Sequence, residues 1–101
     1  MFRTLFGMGP KVDLKAIKEQ GAVVLDVRTT GEFAGGHVKG SINIPLDQLA
    51  KKLNKLSKDK PIIACCQSGA RSGSAVAFLK DQGYEAYNGG GWYSVENTLN
   101  H

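Results

Sequence analysis

Two runs of consecutive apolar residues constrain the fold of this chain more than any other feature of its sequence. Residues 22–27 are almost entirely apolar and rich in valine, and residues 61–65 have the same character. Runs of this length without polar alternation are typical of strands that are covered on both faces. Such strands usually belong to parallel sheets, whose neighbouring strands are joined by crossover segments.

Helical patterns separate the two runs. Residues 14–20 carry apolar side chains at helical spacing behind Asp13, which predicts a helix with an N-cap. Thr29 and Glu32 have the spacing of a capping box and predict a short helical turn. Residues 72–82 predict a longer helix after the second run. One further helix, with lysines on its outer face, is predicted by the recurring leucines Leu46, Leu49, Leu53 and Leu56.

Two shorter strands complete the expected order. Residues 41–44 alternate in polarity up to Pro45, and residues 84–87 predict a last strand. The glycine-rich residues 88–91 are expected to form a turn, and a helical tail is expected from Trp92 onward. Strands that alternate with helices over 101 residues predict one α/β domain, with a mainly parallel central sheet flanked by helices.

Domain limits and partners follow from simpler features. Residues 11–101 are expected to form the domain, and residues 1–10, which match no pattern, an N-terminal arm. No apolar stretch approaches the roughly 20 residues that cross a bilayer, and the first residues lack a secretory core, so we expect a cytoplasmic protein without a membrane partner. The net charge of +4 favours small anions or acidic partners, but it is too small to indicate nucleic-acid binding.

Two adjacent cysteines, Cys65 and Cys66, point to a chemical role. Neighbouring cysteines cannot link distant parts of the chain as a structural disulfide framework does. Cys66 lies between a strand and a helix, where loop amides and the free N–H groups of the helix stabilise negative charge. We therefore expect Cys66 to have a lowered pKa and to act as a nucleophile. Cys65 is expected to pack within the strand.

Other polar side chains have expected roles around this loop. Ser68 and Ser72 are candidates to donate hydrogen bonds to the sulfur, and Arg71 is a candidate to bind an anionic substrate or to organise the loop. Asp26 and Arg28 end the other buried strand, where a pair of opposite charges is expected to support the site. His37 is interpreted as structural and Trp92 as packing over the core edge, and no ligand spacing indicates a metal site.

Four groups of residues follow one another along the chain: residues 25–28, 32–33 and 36–45; residues 62–72; residues 83–84; and residues 89–92. In this order they resemble the N-terminal signature, the active-site segment, the closing strand and the glycine turn of the rhodanese family. The resemblance covers nearly the whole chain. The run of three glycines departs from the pair that is usual in the family.

The resemblance implies a sulfurtransferase in which Cys66 carries a persulfide. The implied donor is a small sulfur compound such as thiosulfate or a persulfide, and the implied acceptor is a thiol, cyanide or a partner protein. Neither a metal nor an organic cofactor is implied. The residues implied to surround the persulfide and bind substrate are Gln67, Ser68, Gly69, Ala70, Arg71 and Ser72.

The alternatives differ in what they require of this loop. Related phosphatase and arsenate-reductase domains use a loop that is one residue longer between cysteine and arginine, so the four residues between Cys66 and Arg71 argue against phosphatase activity. A persulfide carrier or docking module without turnover stays open. A thiol oxidoreductase that uses Cys65 and Cys66 together also stays open, although adjacent cysteines close a strained ring.

Overall fold

Four parallel strands form the centre of the molecule in the computed structural model, which describes residues 12–100. The strands are β1 (Val23–Asp26), β2 (Ile42–Asn43), β3 (Ile62–Cys66) and β4 (Ala86–Gly91). Their order across the sheet is β2-β1-β3-β4, and every neighbouring pair is parallel. The predicted α/β class is therefore confirmed. The predicted N-terminal arm, residues 1–10, lies outside the described residues.

Three of the connecting helices begin at the predicted signals, and the longest begins two residues before its predicted start at residue 72. The helices are α1 (Leu14–Glu19), α2 (Thr30–Ala34), α3 (Ala70–Asp81) and α4 (Trp92–Leu99). Asp13 caps α1 by accepting a hydrogen bond from the N–H of Ala16 at 3.1 Å, and the capping box of Thr29 and Glu32 forms in both directions at α2. Within residues 12–100, no helix is long and apolar enough to cross a membrane.

The two faces of the sheet are covered by different helices. Successive side chains of a strand point to opposite faces, which explains why these strands lack polar alternation. Cys66 packs in one half of the core with Leu79 of α3, whereas Cys65 packs in the other half with Val95 of α4. The two adjacent cysteines therefore point into different halves of the core.

The leucine-rich segment is helical, but its geometry differs from the prediction. Leu46–Lys55 is a 3-10 helix, and the N–H of Gln48 bonds to the carbonyl of Pro45 three residues earlier at 2.8 Å. Lys52 leaves helical geometry, with φ −120° and ψ 23°. The leucine face is correct, since Leu49 is buried, but the prediction of one regular helix is wrong.

Contacts at both ends explain this irregular winding. The N–H of Leu46 bonds to the carbonyl of Val27 at 3.0 Å, which attaches the start of the segment to β1. The carbonyl of Leu53 accepts from the N–H of Leu56 at 2.9 Å and also from the hydroxyl of Tyr84 at 3.1 Å, so a distant side chain fixes the other end of the segment. Fixed ends favour 3-10 winding because it rises about 2.0 Å per residue, against about 1.5 Å in an α-helix.

The glycine run belongs to strand β4, so the prediction of a turn at residues 88–91 is wrong. The register between β3 and β4 shifts, so that Asn88 is paired with Ala64 and Gly90 with Cys65. Gly89 is the extra residue of this β-bulge.

Gly89 is required because neighbouring elements leave no space for a side chain. A Cβ atom at this position would lie 2.8 Å from Cγ2 of Val95 and 3.0 Å from Cγ2 of Ile63. Both atoms are side-chain methyl groups of fully buried residues, and a packed core cannot move them without strain.

We expect Gly89→Ala to lower the free energy of unfolding by about 1–3 kcal/mol, since the added methyl group overpacks the core. Gly31→Ala is the matched control, because Gly31 lies in α2 and a Cβ there meets no atom within 4 Å. The control should be neutral or stabilising by about 0.4–1 kcal/mol. Urea unfolding gives the free energy of unfolding of the wild type and of both variants. Equal values for Gly89→Ala and Gly31→Ala would contradict the packing argument.

Candidate active site

The loop between β3 and α3 is tight and is closed by a glycine. Cys66 is the last residue of β3, and α3 begins at Ala70, so only three residues lie between them. Gly69 adopts the left-handed conformation, with φ 104° and ψ −10°, which residues with a side chain rarely adopt. The chain can therefore reverse and direct its N–H groups back towards Cys66.

The sulfur of Cys66 lies at the point where these groups meet. The N–H of Gly69 donates to Sγ at 3.0 Å, and the N–H of Ser72 donates at 3.4 Å. Burial alone would raise the pKa of Cys66, which is 1% exposed. Hydrogen bonds from the Ser72 hydroxyl and from the N–H groups of Ser72, Gly69 and Ser68 outweigh burial and lower the pKa. The loop is thus built to hold a thiolate.

Asn88 connects this loop to strand β4, and sequence reasoning missed it. Its Nδ2 donates to the carbonyl of Gly69 at 3.0 Å, and its Oδ1 accepts hydrogen bonds from the Ser72 hydroxyl at 2.7 Å and the N–H of Gly90 at 2.9 Å. The glycine-rich sequence predicts a turn at Asn88, and the signal for its role in the site is a polar side chain beside a glycine run.

The Ser72 hydroxyl has one proton and two possible acceptors. Its oxygen lies 3.4 Å from Sγ of Cys66 and 2.7 Å from Oδ1 of Asn88. With a protonated thiol, the hydroxyl donates to Asn88. When the thiolate forms, the hydroxyl can turn to the sulfur, and Oδ1 of Asn88 still keeps its bond from Gly90.

Arg71 forms an ion pair with Glu32 of α2. Nη1 lies 2.7 Å from Oε1 and Nη2 lies 3.0 Å from Oε2, so the two groups bond through both arms. Arg71, helped by the N–H of Thr29, lowers the pKa of Glu32 to about 2. Both side chains are about one third exposed, at 37% and 35%. The sequence assigned Glu32 to helix capping alone, so this pairing was not predicted.

Asp26 and Arg28 form a second ion pair, which is buried. Their side chains are 0% and 3% exposed, and Nη2 of Arg28 lies 2.7 Å from Oδ2 of Asp26. Arg28 also donates to the carbonyl of Gly36 at 2.7 Å and lies 4.9 Å above the ring of Trp92. The pair therefore holds the segment before β2 against the start of α4.

The remaining candidates divide between the loop surface and the structure around it. Gln67 and Ser68 are exposed on the loop, and Ala70 is exposed at the start of α3. His37 stacks on Phe33 at 3.7 Å between ring centroids. Within the part of the chain that the structure describes, no three His, Cys, Asp or Glu side chains cluster in a way that could hold a metal ion.

Arg28→Met should destabilise the protein by about 3–5 kcal/mol, because it leaves the Asp26 carboxylate buried without its partner. Arg71→Met is the matched control, since it breaks an ion pair that solvent screens, and it should cost about 0–1 kcal/mol. Chemical denaturation gives both values. If Arg71→Met lowers the free energy of unfolding as much as Arg28→Met does, burial does not explain a difference between the two ion pairs.

Ser72→Ala should raise the pKa of Cys66 by about one pH unit, because it removes one donor to the thiolate. Alkylation by iodoacetamide follows the thiolate fraction, so its rate rises with pH through the pKa and then levels off.

Cys65→Ala is the control for this profile. Burial, followed by nearby Asp26, raises the pKa of Cys65 to about 12, so Cys65 contributes little to alkylation near neutral pH. The control should keep the wild-type midpoint. An unchanged midpoint in Ser72→Ala would mean that the hydroxyl does not stabilise the thiolate.

A thiolate held by loop amides between a parallel strand and a helix defines a class of α/β domains with a cysteine site. The sequence model of the rhodanese-like domain matches residues 11–98. The chain belongs to the rhodanese-like family of sulfurtransferases, and the resemblance inferred from its motifs is confirmed.

Similar proteins agree with this assignment. The protein YqhL of Bacillus subtilis is 46% identical over 68 residues, which are 66% of this chain and 54% of YqhL, so the chain spans about half of that relative. Thiosulfate sulfurtransferase GlpE of Pseudomonas savastanoi is 36% identical over 80% of this chain and 76% of GlpE. The crystal structure of a rhodanese-related protein from Thermoplasma volcanium is 34% identical, with a TM-score of 0.73 and 84% of each chain covered.

Proposed function

We propose that this protein transfers sulfane sulfur through a persulfide on Cys66. The observation that carries the proposal is the pair of main-chain N–H groups directed at Sγ, from Gly69 at 3.0 Å and from Ser72 at 3.4 Å. A persulfide places its negative charge on the outer sulfur, and fixed amide dipoles in a site shielded from water stabilise such charge without reorganising.

The reaction has two displacement steps. The Cys66 thiolate attacks the outer sulfur of thiosulfate or of a persulfide donor, a new S–S bond forms, and sulfite or a thiolate leaves with the electron pair of the broken bond. A thiol or cyanide then attacks the outer sulfur, and the Cys66 thiolate leaves. Both steps balance in atoms and electrons without a metal or an organic cofactor.

The loop residues have different parts in this scheme. Ser68, Gly69 and Ser72 contribute the hydrogen bonds that hold the anionic sulfur, and the exposed Gln67 and Ala70 form the rim that a substrate meets. Arg71 fits its loop-organising role, because Glu32 bonds to it through both arms. Asp26 and Arg28 support the site as a buried pair.

Substrate and compartment are inferred from chemistry and from relatives. Thiosulfate is a proposed donor because GlpE, a similar protein, is named for it. A small thiol, cyanide or a partner protein is the proposed acceptor. We propose the cytoplasm as the compartment, where a reducing environment would keep the thiol of Cys66 available for sulfur transfer.

Two features argue against a redox role for the cysteine pair. Cys65 and Cys66 point into different halves of the core, so a disulfide between them would distort β3. The pKa of Cys65, raised to about 12 by burial and then by nearby Asp26, also keeps that thiol protonated at neutral pH. Sulfur transfer through Cys66 alone agrees with both.

Intact mass after treatment with thiosulfate or an organic persulfide tests the proposal. The wild type and Cys65→Ser should gain the mass of one sulfur atom, which a reductant removes, and Cys66→Ser should gain none. Loss of two hydrogens instead would indicate a disulfide and contradict it. Steady-state transfer to cyanide then separates an enzyme from a carrier, because a carrier loads sulfur but does not turn over.

A further inference from the structure

Arg71, a cation beside the sulfur-binding loop, is already engaged by an acid. Arg71 immediately precedes Ser72, whose N–H and hydroxyl contact Sγ of Cys66, so its guanidinium borders the loop. The carboxylate of Glu32 accepts a hydrogen bond from Nη1 of Arg71 at 2.7 Å and another from Nη2 at 3.0 Å. This bidentate geometry offsets the charge and uses two of the five N–H donors with which the guanidinium could bind an oxyanion.

Glu32 is itself held in place. Its Oε1 accepts hydrogen bonds from the N–H of Thr29 at 3.0 Å and from the Thr29 hydroxyl at 3.2 Å, in addition to the bond from Arg71. With its pKa lowered to about 2, first by Arg71 and then by Thr29, the carboxylate is fully charged at neutral pH. An anion that approaches Arg71 must therefore compete with a fixed carboxylate.

A cavity of about 350 Å³ opens beside this ion pair, and its walls are largely apolar. The residues that line it are Val27, Thr29, Pro45, Leu46, Asp47 and Arg71. Its charged lining residues are Arg71, already paired, and Asp47. Among the described lining residues, a small dianion meets a second carboxylate and gains no unpaired cation, whereas an uncharged organic group gains apolar contact.

We propose that Glu32 determines donor specificity, by occupying Arg71 so that the site favours persulfides with an organic body over the thiosulfate dianion. The inference rests on the sulfur-transfer function proposed above and narrows its substrate class. The organic group of the donor lies against Val27, Pro45 and Leu46, and its outer sulfur is directed to the loop around Cys66. Thiosulfate, which lacks an organic group, uses neither the apolar wall nor the engaged guanidinium.

Glu32→Gln is the decisive variant. Glutamine keeps the shape of the side chain and also serves at the third position of a capping box, so α2 keeps its N-terminus. The substitution removes the negative charge and loosens the hold on Arg71. We expect kcat/KM for thiosulfate to rise about three- to tenfold, mainly through a lower KM. For 2-hydroxyethyl persulfide, which has an uncharged body, the change should stay below about twofold.

The measurement is the rate at which Cys66 gains sulfur, as a function of donor concentration, in wild type and variant with each of the two donors. A thiosulfate rate that does not rise, or an equal change for both donors, overturns the specificity proposal. If the wild type loads from neither donor, the sulfur-transfer function itself fails, so the two failures are distinguishable.

Asp47→Asn provides a second test that does not depend on the capping box. It removes the other carboxylate of the cavity and should also raise kcat/KM for thiosulfate, by about twofold. Thermal unfolding monitors the fold of both variants. If Glu32→Gln does not fold, Glu32→Asp decides, because the shorter carboxylate cannot hold both nitrogens of Arg71, and a thiosulfate rate that does not rise in that variant overturns the proposal.

Discussion

The hydrogen bond from the N–H of Gly69 to the sulfur of Cys66 is the interaction on which the site depends. It requires the left-handed conformation of Gly69, which reverses the chain directly after β3. That reversal is held from outside by Asn88, which bonds to the carbonyl of the same residue. Asn88 pairs with Ala64 just before the bulge at Gly89, so it lies in β4 next to the end of β3. The direction of one N–H group in the loop thus depends on a side chain of the neighbouring strand.

Two ion pairs around the site differ in their physical effect. Asp26 and Arg28 are buried and hold distant segments together, so their contribution is one of structure. Glu32 and Arg71 are partly exposed, and solvent weakens what they add to stability. Their effect lies instead in the electrostatic potential at the mouth of the site. The buried pair therefore stabilises the fold, whereas the partly exposed pair acts on the binding of substrate. The difference arises because solvent screens the second pair and not the first.

The features that sequence reasoning predicted are those with local causes. The caps at Asp13 and Thr29 formed as their spacing indicated, and the apolar runs became the central strands. The features that it missed depend on contacts between distant residues. Arg71 meets Glu32 across 39 positions of the chain, and Ser72 meets Asn88 across 16. The glycine run looked like a turn because its true cause, the side chains of Ile63 and Val95, is visible only after folding.

The two edges of the sheet have a consequence for how this domain behaves beside other chains. β2 lies at one edge and has only two residues, Ile42–Asn43, with Pro45 close behind. β4 lies at the other edge, where the bulge interrupts regular pairing. Within residues 12–100, neither border offers a long flat row of free main-chain groups, which is what edge-to-edge aggregation needs. The domain can thus be joined to other domains, or crowded by its own copies, with little risk of forming continuous sheets between molecules.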